Sequence, residues 1–98
     1  ELRKIRARQI HIIFGTVKDK DVLPVLQLLP KSAQYYFVKA DIPRAMDDQE
    51  LYEKALGLGL KGQACGTVKK GFQKAKSLAG INDLILVTGS IFVVAEVL

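Results

Sequence analysis

At 98 residues the chain has room for one domain, and 49% hydrophobic with 26% charged residues, at a mean hydropathy of +0.15, is enough apolar surface for a core and far from the signature of disorder. A single cysteine, Cys65, excludes an intrachain disulfide and a thiolate zinc site and fits a reducing cytoplasm. No apolar run approaches the roughly 18 residues of a membrane-spanning helix, the basic N-terminus lacks the apolar stretch of a signal peptide, and the net charge of +5 is scattered, without interleaved aromatics, which argues against a nucleic-acid footprint.

The chain opens as if inside an element. Leu2 and Ile5 stand three apart among Arg3, Lys4, Arg6 and Arg8, the pattern of the last turns of a helix with cations at its negative end. Residues 1–8 are therefore expected to be the tail of a preceding helix, with residues 1–98 a single, partial domain. Residues 10–14 are β-branched and aromatic up to Gly15 and predict a buried strand. Asp19 and Asp21 are candidate caps for a helix over 22–29, which tolerates Pro24 in its first turn and stops at Pro30. Tyr35 to Val38 predict a second strand.

Asp47 and Glu50 have capping-box spacing before a helix carrying Leu51, Ala55 and Leu58 and ending at Gly59. Residues 61–65 predict a weak third strand, and Gly62 by itself reads as a turn glycine. Thr67 can cap a helix with Val68, Phe72, Ala75 and Leu78 on one face and Gly80 at its end. Leu84 to Val87 are apolar on both faces and predict a central strand, and Ser90 can cap a last helix over 91–98. Apolar strands alternating with helical crossovers imply a Rossmann-like, three-layer α/β domain with a mostly parallel sheet and helices on both faces.

Gly57-Leu58-Gly59-Leu60-Lys61-Gly62 matches the dinucleotide-binding G-x-G-x-x-G, with Asp83 about twenty residues on. Its context is reversed, since the glycines follow a helix and precede a strand, whereas the motif works between a strand and the N-terminus of a helix. There is no P-loop motif either.

Ligands in open parallel sheets bind outside the carboxyl ends of the strands. That edge offers four loops: Lys18, Asp19, Lys20 and Asp21 in the first; Asp41, Pro43 and Arg44 in the second; Gly66 and Thr67 in the third; Thr88, Gly89 and Ser90 in the fourth. Arg44 with the Thr88-Gly89-Ser90 turn suits a carboxylate, because a guanidinium binds it bidentately and the turn adds a hydroxyl and backbone N–H groups. Each residue also has a structural alternative: Ser90, Asp19 or Asp21 as a helix cap, Arg44 as a partner of Asp47 or Asp48. His11 lies in a strand without a neighbouring acid and reads as structural, and Cys65 reads as a packed thiol. No nucleophile–base pair, carboxylate dyad or metal cluster is visible, so no catalytic residue is expected in this chain.

Phe14-Gly15-Thr16-Val17-Lys18-Asp19-Lys20-Asp21, Ala40-Asp41-Ile42-Pro43-Arg44-Ala45 and Leu84-Ile85-Leu86-Val87-Thr88-Gly89-Ser90-Ile91-Phe92 resemble, in order and spacing, the C-terminal domain of folylpolyglutamate synthase/dihydrofolate synthase, a branch of the Mur ligase superfamily. The resemblance implies a cytoplasmic ATP-dependent ligase that activates a folate or dihydropteroate carboxylate as an acyl phosphate for attack by the glutamate amine. It implies ATP and magnesium held mainly by a separate P-loop domain of the same chain. It places Thr88, Gly89, Ser90 and Arg44 on the glutamate side and Lys18, Asp19, Lys20 and Asp21 in a loop facing the nucleotide-bearing domain. Ile42 stands where Mur peptide ligases have the asparagine of D-N-P-R, and the D-G-A-H-N segment of the family is not in this sequence. Isolated, the chain is expected to be inactive. The alternatives are a Mur-type peptide ligase domain and a non-catalytic flavodoxin-like nucleotide-binding module.

Overall fold

The computed structural model describes residues 9–19, 21–89, 93, 95 and 96. Four strands form one sheet: β1 (Ile10–Gly15), β2 (Gln34–Lys39), β3 (Lys61–Thr67) and β4 (Leu84–Gly89). Their order is β3-β2-β1-β4 and every pairing is parallel. Three helices connect them: α1 (Leu23–Leu28), α2 (Asp48–Gly57) and α3 (Val68–Leu78).

Side chains alternate across a strand, so the sheet carries two cores. Ile12, Phe14, Tyr35 and Phe37 face one way and pack with Leu26 of α1 and Leu51 and Ala55 of α2. Ile13, Tyr36 and Val38 face the other way and pack with Val68 and Ala75 of α3 and with Val93. This is the arrangement right-handed crossovers dictate: β1-α1-β2-α2-β3 travels outward under one face, and α3 returns across the other to reach β4. The three-layer α/β expectation is met.

Local chemistry sets most boundaries. Asp47 caps α2, its carboxylate accepting the Glu50 N–H at 3.1 Å, and Thr67 caps α3 by accepting the Lys70 N–H at 3.1 Å. Asp47→Ala is expected to lower stability by about 1 kcal/mol in urea unfolding. Helix α1 departs from expectation. Val22 stands at its N-cap position without a side-chain cap, and Asp21 reaches only the Leu23 N–H at 3.4 Å. Its six residues hold because Val22 and Leu26 are buried. The α3 C-cap is Ala79, one residue before Gly80.

Strand β3 runs past residue 65 to Thr67 through a register irregularity opposite Phe37 and Val38. Gly62 is not in a turn but inside this strand. A Cβ there would stand 2.6 Å from the Tyr35 carbonyl oxygen, so the glycine serves strand packing. Strand β4, expected to be central, is an edge of the described sheet. Of the last helix expected over 91–98, only Val93, Ala95 and Glu96 are described, with Val93 and Ala95 helical.

Candidate functional site

The strand order reverses on either side of β1, which places a topological switch point between β1 and β4. Crevices in such sheets open outside the carboxyl ends of the strands there. The loop after β1 therefore lies between the loop after β2, with Arg44, and the end of β4, with Thr88 and Gly89.

The first two loops are tied into a short antiparallel ribbon. Val17 bridges Ala45, the Lys18 N–H donates to the Arg44 carbonyl at 2.7 Å, and the Met46 N–H donates to the Thr16 carbonyl at 2.9 Å. Arg44 Nη2 donates to Asp19 Oδ2 at 2.9 Å, both side chains being 64% exposed. Arg44 thus pairs with Asp19, not with Asp47 or Asp48. Asp48 instead accepts the Gly66 N–H at 2.9 Å, fixing the third loop. A solvated pair of this kind contributes little stability, but it ties the loop after β2 to the loop after β1. The other donors of the guanidinium are unengaged among the described residues.

On the β4 side, Phe14 pairs with Thr88 and Gly15 with Gly89. Gly89 has φ of +115°, and a Cβ on it would land on the Gly15 carbonyl. Thr88 and Gly89 close a cavity of about 150 Å³ with Phe14, Thr16, Val22 and Val25 among its walls. Lys20 and Ser90 lie outside the described residues.

A wider groove of about 810 Å³ opens on the other flank of the second loop. Lys39, Asp41, Pro43, Thr67, Lys69 and Lys70 are among its lining residues. Lys39, Lys69 and Lys70 were not among the expected site residues. Their signal is visible in the sequence: two lysines, and no acid, occupy the first turn of α3, where the helix dipole disfavours cations.

The other titratable groups belong to packing. His11 is buried between Tyr36, whose hydroxyl is 2.7 Å from Nδ1, and Asp83, whose Oδ2 is 2.9 Å from Nε2. The Gly80 N–H and then His11 hold the Asp83 carboxyl below its ordinary pKa. Asp83 is thereby engaged at the amino edge of the sheet, far from any ribose role. Burial, with Asp48 adding to it, pushes the Cys65 thiol up, so it is no ready nucleophile.

The family model of the Mur ligase glutamate ligase domain matches residues 1–91. The chain belongs to that family. A Haloferax volcanii protein named a probable bifunctional folylpolyglutamate synthase/dihydropteroate synthase is 33% identical over 90 residues, covering 89% of this chain and 10% of that protein. A dihydrofolate synthase/folylpolyglutamate synthase of Buchnera aphidicola is 33% identical over 88 residues, covering 90% and 21%. This glutamate ligase domain therefore spans about a tenth and a fifth of the length of these relatives. Among solved structures, E. coli FolC in complex with DHPP and ADP superposes with a TM-score of 0.81 at 27% identity, over 94% of this chain and 22% of that one. A Yersinia pestis bifunctional synthase complexed with AMPPNP and Mn ion, at a TM-score of 0.75 and 21% identity over 91% of this chain and 21% of its own, shares the fold.

Proposed function

We propose that this domain is the closing, glutamate-binding part of an ATP-dependent ligase that joins glutamate to a folate or dihydropteroate carboxylate. The observation that carries the reading is the carboxyl edge at the switch point. In a chain 33% identical to two folate-ligase relatives, that edge carries an exposed guanidinium held on one donor by Asp19, in the loop after β2, and the Gly89 end of β4 on the other side of β1.

In the reaction, the terminal phosphoryl group of ATP passes to the acceptor carboxylate, giving ADP and an acyl phosphate. The glutamate amine then displaces phosphate and forms the amide. The companion domain holds ATP. Among the described residues no three His, Cys, Asp or Glu side chains are grouped as ligands. The metal is assigned to the companion domain and no step passes through it here.

The work of this domain is positional. Arg44 takes a glutamate carboxylate on the donors that Asp19 leaves open, and the Thr88-Gly89-Ser90 turn supplies a hydroxyl and backbone N–H groups. Lys18, Asp19, Lys20 and Asp21 face the nucleotide-bearing domain. Closure brings the amine to the acyl phosphate and excludes water, the source of most of the rate in such a transfer. No helix among the described residues is long and apolar enough to cross a membrane; the cytoplasmic location belongs to the proposal and follows from the family resemblance.

The test is ADP release by the full-length parent protein with ATP, magnesium and a reduced folate or dihydropteroate, with and without glutamate. Arg44→Ala is expected to raise the glutamate KM about 10- to 100-fold, the loss of one charge-assisted carboxylate contact, with a smaller change in kcat. Ser90→Ala should raise the same KM by less. Wild-type glutamate KM in both variants would reduce these residues to structural roles. Turnover with another acid or amino acid, and none with folates, would make this a different Mur-type ligase.

A further inference from the structure

The groove on the other flank of the second loop has no part in the chemistry described above. It measures about 810 Å³, within the size range of sites that take whole small molecules and far more than one anion fills. The turn over residues 40–43 forms one side of it and the start of α3 another. Two backbone bonds stiffen that turn: the Ile42 N–H donates to the Ala40 carbonyl at 2.8 Å, and the Ala45 N–H to the Ile42 carbonyl at 3.1 Å. Arg44 follows in the same loop and pairs with Asp19, so the groove and the guanidinium belong to one loop.

Strand register and helix start together gather the cations. Lys39 ends β2 opposite Thr67, the N-cap of α3, and Lys69 and Lys70 follow in the first turn of that helix. All three lysines line the groove and are exposed. None has a side-chain ion pair or hydrogen bond among the described residues, although Asp41, Asp48 and Glu96 share the lining. Asp48 is engaged by the Gly66 N–H at 2.9 Å and Glu96 by the Asp41 N–H at 2.7 Å, so these acids brace loops. Cations gathered at the positive end of a helix work against the folded domain. Folding does not account for them, and an anionic ligand does.

The walls say what kind of anion. A lysine is a point charge on a flexible stem with three rotatable donors, which suits carboxylates at variable spacing. Ala40, Ile42 and Pro43 add apolar surface between the charges. A γ-linked glutamyl chain matches both, since each residue carries a carboxylate, a pair of methylenes and an amide. A lone phosphate would use a fraction of the groove and leave its apolar part bare.

We propose that the groove binds the γ-glutamyl tail of an acceptor that already carries more than one glutamate. Lys39, Lys69 and Lys70 take its carboxylates, and Asp41 accepts an amide N–H. The inference rests on the ligase reading and adds to it a subsite for elongated acceptors.

The test is glutamate-dependent ADP release by the full-length parent protein, with reduced folate acceptors carrying one, two and four glutamates. One variant combines Lys39→Gln, Lys69→Gln and Lys70→Gln; a second combines Lys39→Arg, Lys69→Arg and Lys70→Arg. In the glutamine variant the KM of the tetraglutamate acceptor should rise about tenfold or more, the product of three solvated contacts of about two- to threefold each. The monoglutamate KM should rise by less than about twofold, a single contact at most, and the KM values for ATP and glutamate should stay at wild type. The arginine variant should restore the tetraglutamate KM, which separates lost charge from damaged folding. Added salt should raise that KM in the wild type and leave it nearly unchanged in the glutamine variant. An equal change for all three acceptors would overturn the subsite. A raised ATP KM would assign the groove to the nucleotide phosphates and overturn it too. So would a wild-type enzyme that accepts dihydropteroate alone, with the ligase reading intact. No glutamate-dependent release with any folate or pteroate acceptor would instead sink the ligase reading, and this inference with it.

Discussion

Gly89→Ala is expected to destabilise the domain by about 3–5 kcal/mol, the sum of backbone strain and a clash that no rotamer relieves. A Cβ at this position lands on the Gly15 carbonyl, which is sheet backbone and cannot move without opening the β1–β4 register. The φ of +115° adds strain for any side chain. Urea unfolding should show the midpoint falling with little change in slope. On the proposed function, glutamate-dependent ADP release by the full-length protein should fall with it, because Phe14–Thr88 and Gly15–Gly89 are the pairs at the carboxyl end of β4. Gly57→Ala is the matched control. It lies in α2 with nothing within 4 Å of a new Cβ, and alanine there should be neutral or stabilising by up to about 1 kcal/mol. A Gly89→Ala domain as stable as wild type would refute the close approach of the two strands.

What was legible in the sequence was local or periodic. The Asp47 and Thr67 caps are set by atoms three residues apart, and β1 and β2 by short apolar, β-branched and aromatic runs. Strand direction alone dictates which loops gather at the carboxyl edge, and with them Arg44 and Thr88. What was not legible depends on tertiary neighbours. Nothing near Arg44 in sequence points to Asp19, 25 residues away, and nothing near His11 points to Asp83, 72 residues away. Gly62 resembles a turn glycine until Tyr35 stands beside it. Leu84 to Val87 are patterned for an interior strand, whereas β4 is an edge of the described sheet.

His11→Ala is expected to cost about 3 kcal/mol, since it removes a buried ring and orphans the Tyr36 hydroxyl. With Asp83 ionised, Nε2 carries the proton and donates to it, and in the neutral ring Nδ1 accepts the Tyr36 O–H. This chain of bonds ties β1, β2 and the turn before β4 together at the amino edge. Tyr36→Phe keeps the ring and loses one bond, so about 1–2 kcal/mol is expected. Asp83→Asn separates the charge from the packing. The Asp83 pKa is lowered on folding by the Gly80 N–H and His11, so its ionised form contributes stability above the unfolded carboxyl pKa of about 3.9. That contribution is lost as pH falls from there through the depressed folded value. The stability gap between wild type and Asp83→Asn should therefore be full at about pH 5 and narrow as pH falls below about 4. Urea unfolding of both proteins across that range reads it directly, because every other carboxylate titrates alike in the two. A gap that widens in acid would mean that Asp83 is stabilised in its protonated form, contrary to the geometry that places two donors on it.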